Sequence, residues 1–221
     1  MGNFDYDNYS DREGDDSWEA DINEFDWERY LQREDDEVTK YQKLYNKLIR
    51  SQNRLDEVAL FMGWETGNAA EKSDHSEEIP QLPLSEHPYT LHKHPLFVAN
   101  KAIHGSIQEM WLQQATICSE NLSALQALEL QNSLSKSDYY GQLAVVAIDI
   151  GDYSLAIAYF KRGMSQINAT FSLFEPLLEI DTPTLSTFVK QARIRLFDLR
   201  DIWLRVSSDC RVAIANRTEE D

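Results

Sequence analysis

Residues 140–168 read YGQLAVVAIDIGDYSLAIAYFKRGMSQIN and indicate the fold more clearly than any other part of the sequence. Apolar residues recur at helical spacing on both sides of the pair Gly151-Asp152, and small residues such as Ala144 and Ala156 recur with them. A glycine just past a helix adopts the left-handed conformation that ends it, and small residues let two helix backbones approach closely. The stretch therefore predicts two tightly packed helices joined by a short turn.

The composition of the whole chain favours the same structural class. Its 221 residues are 42% apolar but include only 8 Gly and 6 Pro, few for a turn-rich all-β protein. No apolar run approaches the ~20 residues of a membrane span, and the acidic N-terminus lacks the apolar core of a signal peptide. The two cysteines show no metal or disulfide spacing, which is typical of a cytoplasmic protein. We predict an all-α fold, an antiparallel bundle of four to five long helices.

The charge is strongly negative and unevenly distributed. The net charge is −17, and residues 1–37 hold 15 Asp and Glu against three Arg. A chain that binds a phosphate backbone needs clustered Lys and Arg, so we expect neither a nucleic-acid partner nor a membrane. An acidic segment of this kind instead favours a protein partner with a basic surface.

Three segments lie outside or interrupt the helical domain, which we predict to span residues 21–217. Residues 1–20 are rich in Asp, Asn, Ser and Gly, and we expect a disordered acidic tail because they bury too little apolar surface to offset ordering entropy. Residues 63–95 hold four of the six prolines and several histidines, which indicates a crossover linker. Residues 218–221 are expected to form a flexible C-terminus.

The helices of this domain are predicted from apolar spacing and capping residues. Gly63 suits the end of the first helix, and the cluster Ser135-Lys136-Ser137-Asp138 suits a helix start, so we expect a pause there. Thr182 and Pro183 suit the start of the last helix. Its apolar residues follow one another in alternating steps of four and three residues along the chain. The predicted helices span residues 26–62, 96–118, 121–150 with the pause, 152–178 and 183–213.

Small and aromatic residues within residues 137–170 follow a recognisable order. The pattern comprises Tyr140, Leu143, Ala144 and Ala147 in the first helix, Gly151, Asp152 and Tyr153 at the turn, and Ala156, Phe160 and Gly163 in the second helix. It resembles one tetratricopeptide repeat, although Asn168 replaces the closing proline of that family and no second copy adjoins it. The resemblance implies a scaffold that binds proteins through packed helices rather than a catalyst.

The leading functional prediction is a non-catalytic adaptor or assembly protein without a cofactor. We expect the groove beside the 139–163 hairpin to be the docking surface, because Tyr and Trp combine an apolar ring with a polar group. The acidic N-terminal tail is expected to steer the partner electrostatically, so that charge reversal within residues 11–37 lowers the association rate. The predicted partner-binding residues are Tyr140, Tyr153, Tyr159, Trp27, Asp35, Asp36 and Glu37.

Two other functions remain open from the sequence. The first alternative is a metal-binding protein or a metal-dependent enzyme. Its predicted ligands are three linker histidines, His87, His92 and His94, since imidazole suits zinc, nickel and copper. The other alternative is a self-assembling structural subunit that uses the first or the last helix as a coiled-coil seam. No nucleophile motif or phosphate-binding glycine loop occurs, so the hypothesis of an enzyme depends on these histidines alone.

The last predicted helix carries many charged residues, and a further histidine lies on the second predicted helix. The last helix carries Arg195 and Asp198 among other alternating charges, which predicts a solvent-facing surface with intrahelical ion pairs. His104 lies on a predicted bundle helix, where a phosphotransfer histidine would be at the surface, but the residues that normally follow such a histidine are missing.

Overall fold

The computed structural model describes residues 24–64, 91, 94–118, 122–180 and 182–220, with the side chains of 218–220 excepted. The described part of the chain is all-α and contains no β-strand. The acidic tail and nearly all of the linker predicted above lie outside these residues. The helices are α1 (Glu24–Leu48), α2 (Arg54–Met62), α3 (Pro95–Ile117), α4 (Ala124–Asp149), α5 (Tyr153–Leu178) and α6 (Pro183–Glu220).

The last three helices pack in chain order, each antiparallel to the one before. The α4–α5 contact is the most extensive of the fold, followed by that of α5 with α6. Tyr140 of α4 stacks on Tyr159 of α5, whereas Ser133, farther from the turn, donates to the carbonyl of Gln166 at 3.1 Å. Short connections between long helices produce this antiparallel arrangement.

Helix α3 joins this group to the N-terminal helices. It packs against α1, α4 and α6, and α1 in turn packs against α2. Aromatic side chains fill the space where α3, α5 and α6 meet: Trp111 lies 5.4 Å from Phe188, which lies 6.0 Å from Phe174, measured between ring centroids. All three are buried, so burial of their large apolar surfaces stabilises the contact of these three helices.

The first predicted helix, residues 26–62, is wrong as a single element, because the chain divides it into α1 and α2. The break follows Leu48, whose carbonyl accepts from the backbone of Ser51 at 2.8 Å. The hydroxyl of Ser51 then bonds to Glu57, and Asn53 donates to the same hydroxyl. The donor of Asn53 is its backbone N–H, so the Ser51 side chain competes here with the helical backbone for hydrogen bonds, which explains the break. The predicted end at Gly63 is confirmed, with φ of 76°.

The predicted pause at residues 135–138 is also wrong, since α4 is continuous through them. The polar side chains that suggested a helix start have tertiary partners instead. Ser137 contacts His104, and Asp138 accepts from the amide of Asn100 at 3.2 Å. The helix begins at Ser123, where a capping box with Gln126 satisfies the first backbone donors.

None of the helices that the structure describes combines the length and the apolar content needed to cross a membrane.

Candidate functional site

The turn between α4 and α5 is a complete helix-ending motif. Gly151 has φ of 78°, and its N–H donates to the carbonyl of Ile148 at 2.9 Å. The N–H of Asp152 donates to the carbonyl of Ala147 at 2.8 Å, which satisfies the last carbonyls of α4. The Asp152 carboxylate then accepts from the N–H of Leu155 and caps α5. The turn fixes the relative placement of the two helices.

Two glycines bring the hairpin close to α6. A Cβ atom on Gly163 would lie 2.7 Å from the ring of Trp203, and one on Gly141 would lie 2.9 Å from the same ring. Phe160 packs beside that ring as well, with centroids 5.9 Å apart. Glycine therefore lets both helices approach the Trp203 indole closely.

Three tyrosines and one arginine form what we call the tyrosine surface: Tyr139, Tyr140, Tyr159 and Arg162. Tyr140 and Tyr159 are half-buried and stacked, with centroids 6.4 Å apart. Tyr139 is 57% exposed and lies 5.8 Å from Tyr140, whose ring is also 5.9 Å from the Arg162 guanidinium. Tyr140 and Tyr159, both predicted from the sequence as partner-binding residues, therefore lie side by side on the hairpin.

Tyr153 has a different environment from the other two predicted tyrosines. The guanidinium of Arg217, near the end of α6, lies 4.6 Å from the centroid of its ring. Arg217 also donates to the carbonyl of Gly151 at 3.0 Å. The Tyr153 ring thus fastens the C-terminal part of α6 to the α4–α5 turn, and a cation–π contact holds it there.

The remaining predicted partner-binding residues lie on α1. Asp35, Asp36 and Glu37 are exposed in the middle of this helix. Trp27, near its start, is 39% exposed and packs edge-on against Tyr30 at 5.9 Å. No hydrogen bond or ring contact between described residues connects this acidic group with the tyrosine surface. The two sets therefore occupy separate elements.

The histidines predicted as metal ligands are only partly described. His87 and His92 lie outside the described residues. His94 is the N-cap of α3, and its Nδ1 accepts from the backbone N–H of Leu96 at 3.2 Å. Partial burial lowers the pKa of His94, which favours the neutral ring that this acceptor role requires. The described residues contain no group of three or more His, Cys, Asp or Glu able to hold a metal ion.

The prediction that Arg195 and Asp198 face solvent is wrong, since both are buried. The Asp198 carboxylate accepts from Arg54 Nε at 2.7 Å, forms an ion pair with the same guanidinium, and accepts from the Tyr45 hydroxyl. Burial, and then the charge of Asp198, raise the pKa of Tyr45 well above its ordinary range, so the hydroxyl stays a donor. Arg195 lies three residues after Ala192, a core position; this spacing was the available sequence signal.

His104 is fully buried rather than placed at the surface. Its Nδ1 lies 3.1 Å from the carbonyl oxygen of Asn100 and its Nε2 lies 3.1 Å from the Ser137 hydroxyl. A carbonyl only accepts, so Nδ1 donates to it and the neutral ring accepts from Ser137 at Nε2. Burial lowers the pKa of His104 although Asp138, 3.7 Å from Nδ1, opposes the shift. The cluster joins α3 to α4 and is closed to a substrate.

No protein-family model matches this chain, and no curated protein or solved structure is significantly similar to it.

Proposed function

We propose that this protein is a non-catalytic, cytoplasmic adaptor or assembly protein whose α4–α5 hairpin binds another protein. In this proposal the helices act as a bundle, and the hairpin serves as a tetratricopeptide-like docking unit. The observation that carries it is the tyrosine surface, with stacked Tyr140 and Tyr159 beside exposed Tyr139 and Arg162. Tyrosine and arginine are enriched among the residues that dominate binding energy at protein interfaces.

The rigidity of this surface supports the proposal. Tyr140 and Tyr159 limit each other's movement by stacking, and each projects from a long helix. A tyrosine has few side-chain rotations to lose, so binding to such a surface costs little conformational entropy. The turn at Gly151 fixes the relative position of the two helices, because the three residues between them, 150–152, both end α4 and cap α5.

The acidic face of α1 supports a partner of complementary charge. Asp35, Asp36 and Glu37 are exposed, and the whole chain carries a net charge of −17. Charges of one sign attract a partner with a basic surface over roughly the Debye length of ~8 Å at physiological ionic strength. We therefore propose that the partner is basic, and that α1 contributes to the rate of association while the tyrosine surface contributes contact energy.

A pull-down from the source cells tests the proposal. The double variant Tyr140→Ser/Tyr159→Ser removes the stacked rings, and Phe61→Ser removes an exposed aromatic ring of α2 as the matched control. We expect a specific protein to be captured by the unmodified chain and by Phe61→Ser, and to be lost with the double variant. Circular dichroism first establishes that both variants are folded. Equal capture by the folded double variant contradicts the proposed surface.

A self-assembling subunit is the second candidate, because α6 exposes large apolar side chains. Phe197 is 54% exposed, Leu204 48% and Val212 57%. Apolar residues on the outer side of a helix are typical of helix–helix interfaces. Light scattering distinguishes this candidate: an oligomer that becomes a monomer in Phe197→Glu/Leu204→Glu supports it, and an unmodified chain that is monomeric at micromolar concentration excludes it.

A further inference from the structure

Arg195 is a buried cation on the wall of a cleft formed by α1, α3 and α6. Its side chain is fixed by three hydrogen bonds, one to each of these helices. Nε donates to the Ser106 hydroxyl at 3.1 Å, one terminal nitrogen donates to the carbonyl of Gln191 at 3.2 Å, and the other to the Asn46 amide oxygen at 2.7 Å. The residue is only 6% exposed, so the guanidinium is held in one orientation.

The charge of Arg195 lacks a directly paired carboxylate. Among the described residues, no carboxylate lies within ion-pair distance of Arg195. The carboxylate of Asp198, one helical turn later in α6, is paired with Arg54 instead. Burial lowers the pKa of Arg195, and Tyr45 and Asp198 oppose this effect from a longer range. Two arginines and one carboxylate give this group a net charge of about +1. Arg54 is partly exposed to solvent, whereas Arg195 is buried, and a buried charge is costly without a counter-ion.

The cleft has the volume and the polar lining of a ligand site. It is a cleft open to solvent with a volume of about 600 Å³, within the range typical of small-molecule sites. Side-chain amides line it from three helices, among them Gln42, Gln113 and Gln191. A second space of about 310 Å³ between α3 and α6 shares Gln113 and Gln191 with the first, so the two adjoin. Arg50 and Glu109 line it with opposite charges and are both exposed, where solvent screens them.

The hydrogen-bond inventory of Arg195 identifies the ligand chemistry. A guanidinium has five N–H groups, and the described residues accept from three of them, one on each nitrogen. One N–H therefore remains on each terminal nitrogen, and a carboxylate oxygen is the acceptor of matching charge for such a group. We propose that this cleft binds a carboxylate-bearing ligand through Arg195, with the surrounding amides bonding to the rest of the ligand.

This inference goes beyond the proposed adaptor function and is independent of it. The cleft uses α1, α3 and α6, whereas the tyrosine surface lies on α4 and α5. A ligand in the cleft would contact none of the residues changed in the pull-down variants. Failure of one proposal therefore leaves the other open to its own test.

Titration with sodium succinate, followed by nuclear magnetic resonance of the Arg195 Nε–Hε group, tests the proposal. The resonance is assigned by its loss in Arg195→Lys, and sodium chloride of equal ionic strength serves as the blank. We expect a saturable shift with a dissociation constant of about 1 mM or tighter. A shift that does not saturate, or one that chloride reproduces, contradicts succinate binding at this site.

A matched pair of variants shows whether binding involves the cleft. Gln191→Glu places a carboxylate one helical turn before Arg195, at an exposed position, and should compete within the chain for the same N–H groups. Ser208→Glu makes the same charge change at an exposed position of α6 that does not line the cleft. We expect succinate affinity to fall about tenfold or more in Gln191→Glu, equivalent to ~1.4 kcal/mol, and to remain unchanged in Ser208→Glu. Equal affinity in the two variants overturns the assignment.

Two capped peptides identify the source of the carboxylate. Acetyl-Ala-Glu-Ala-amide presents an acidic side chain of a protein, and acetyl-Ala-Gln-Ala-amide is its uncharged counterpart. Saturation by succinate alone supports a small free carboxylate, and saturation by the glutamyl peptide supports an acidic protein segment. The proposal is overturned if neither succinate nor the glutamyl peptide saturates, or if the glutaminyl peptide binds as tightly as the glutamyl one.

Discussion

Trp203 is the side chain on which three helices converge against α6. It is fully buried, and its ring contacts positions on each of them: His104 of α3 at 6.0 Å between centroids, Gly141 of α4, and Phe160 and Gly163 of α5. An indole of this size admits neighbouring backbones only where they carry no Cβ atom. The two glycines are therefore required by packing rather than by backbone conformation.

A comparison of two helical glycines tests this packing. Gly163→Ala should lower the free energy of unfolding by about 1–3 kcal/mol, because the new methyl group would lie 2.7 Å from the Trp203 ring. Gly105→Ala should raise it by about 0.5–1 kcal/mol, because no atom lies within 4 Å of its Cβ position and alanine favours the helix. Urea denaturation measures both values. Stabilisation by both substitutions would show that α5 does not approach Trp203 as described.

The buried His104 makes stability depend on pH. Burial lowers its folded-state pKa below the ordinary value of 6.5, so the unfolded chain binds its proton more readily. The contribution of the neutral His104 ring to the free energy of unfolding is therefore fully present above about pH 6.5 and is lost as the pH decreases below it. His104→Gln should flatten the pH dependence of the unfolding free energy between about pH 5 and 7, whereas His94→Ser, which keeps an N-cap, should leave most of it. An unchanged profile in His104→Gln would contradict burial of a neutral ring.

At this scale the sequence predicts core positions better than polar ones. The 4-3 spacing correctly indicates the buried side of α6, including Leu196, Leu199 and Trp203. It does not identify Arg195 or Asp198 as buried, because their partners lie on helices far away in sequence, such as Tyr45 and Asn46 of α1. Polar burial depends on these distant partners, and local spacing carries no information about them.

At the scale of elements, α2 is attached to α6 by two ion pairs in different environments. Arg54 pairs with Asp198, and both are largely buried. Asp56 pairs with Arg205 at 2.7 Å, and both are more than half exposed. Both pairs join the same two helices and differ mainly in burial. A comparison of the two therefore shows how much burial of an ion pair changes the free energy of unfolding.

Substituting one arginine from each pair measures that difference. Arg54→Met leaves the buried Asp198 carboxylate without its cation and should lower the free energy of unfolding by about 3–5 kcal/mol. Arg205→Met removes the exposed pairs with Asp56 and Asp201 and should change it by no more than about 1 kcal/mol. Thermal unfolding followed by circular dichroism gives both values. Equal losses would contradict the burial of Asp198.

The break between α1 and α2 shows what the sequence cannot predict for elements. Gln52 interrupts the apolar spacing, but the spacing resumes at Leu55, so a single helix to Met62 is the natural prediction. The chain turns there because Ser51 satisfies local donors and Arg54 binds Asp198 of α6. Conversely, Ser137 suggests a helix start but lies inside α4, where its hydroxyl is hydrogen-bonded to the His104 ring. Tertiary partners decide both outcomes.

At the scale of the molecule, the charge distribution predicts the rate of association with a basic partner. Charge reversal at Asp35, Asp36 and Glu37, each changed to Lys, should lower the association rate about tenfold at low salt and reduce its salt dependence. The dissociation rate should change less, because the exposed charges form no part of the tyrosine surface. Surface plasmon resonance with the captured partner over a range of salt concentrations measures both rates.

A second triple variant separates local steering from net charge. Glu129, Glu175 and Glu179 are exposed on α4, on α5 and just after α5. Their change to Lys alters the net charge by the same amount as the α1 variant. We expect a smaller loss of association rate than with the α1 variant. Equal losses would show that total charge, and not the acidic face of α1, governs the encounter.

The arrangement of helices in space is the part of the fold that the sequence leaves open. The α4–α5 pair is predictable because a connection of only three residues between long helices favours antiparallel packing. The central position of α3, between α1, α4 and α6, depends on contacts that no local pattern encodes. The cleft at Arg195 follows from that arrangement, which is why the α4–α5 helix pair could be predicted from the sequence and the cleft could not.

Hydrogen–deuterium exchange of the complex with the captured partner tests the central claim most directly. Exchange of backbone amides is compared between the free protein and the complex, and read out by mass spectrometry. We predict slower exchange in the complex across residues 139–162 of α4 and α5, with a smaller effect or none in α2. Slower exchange confined to helices other than α4 and α5 would contradict the claim that this hairpin is the docking surface.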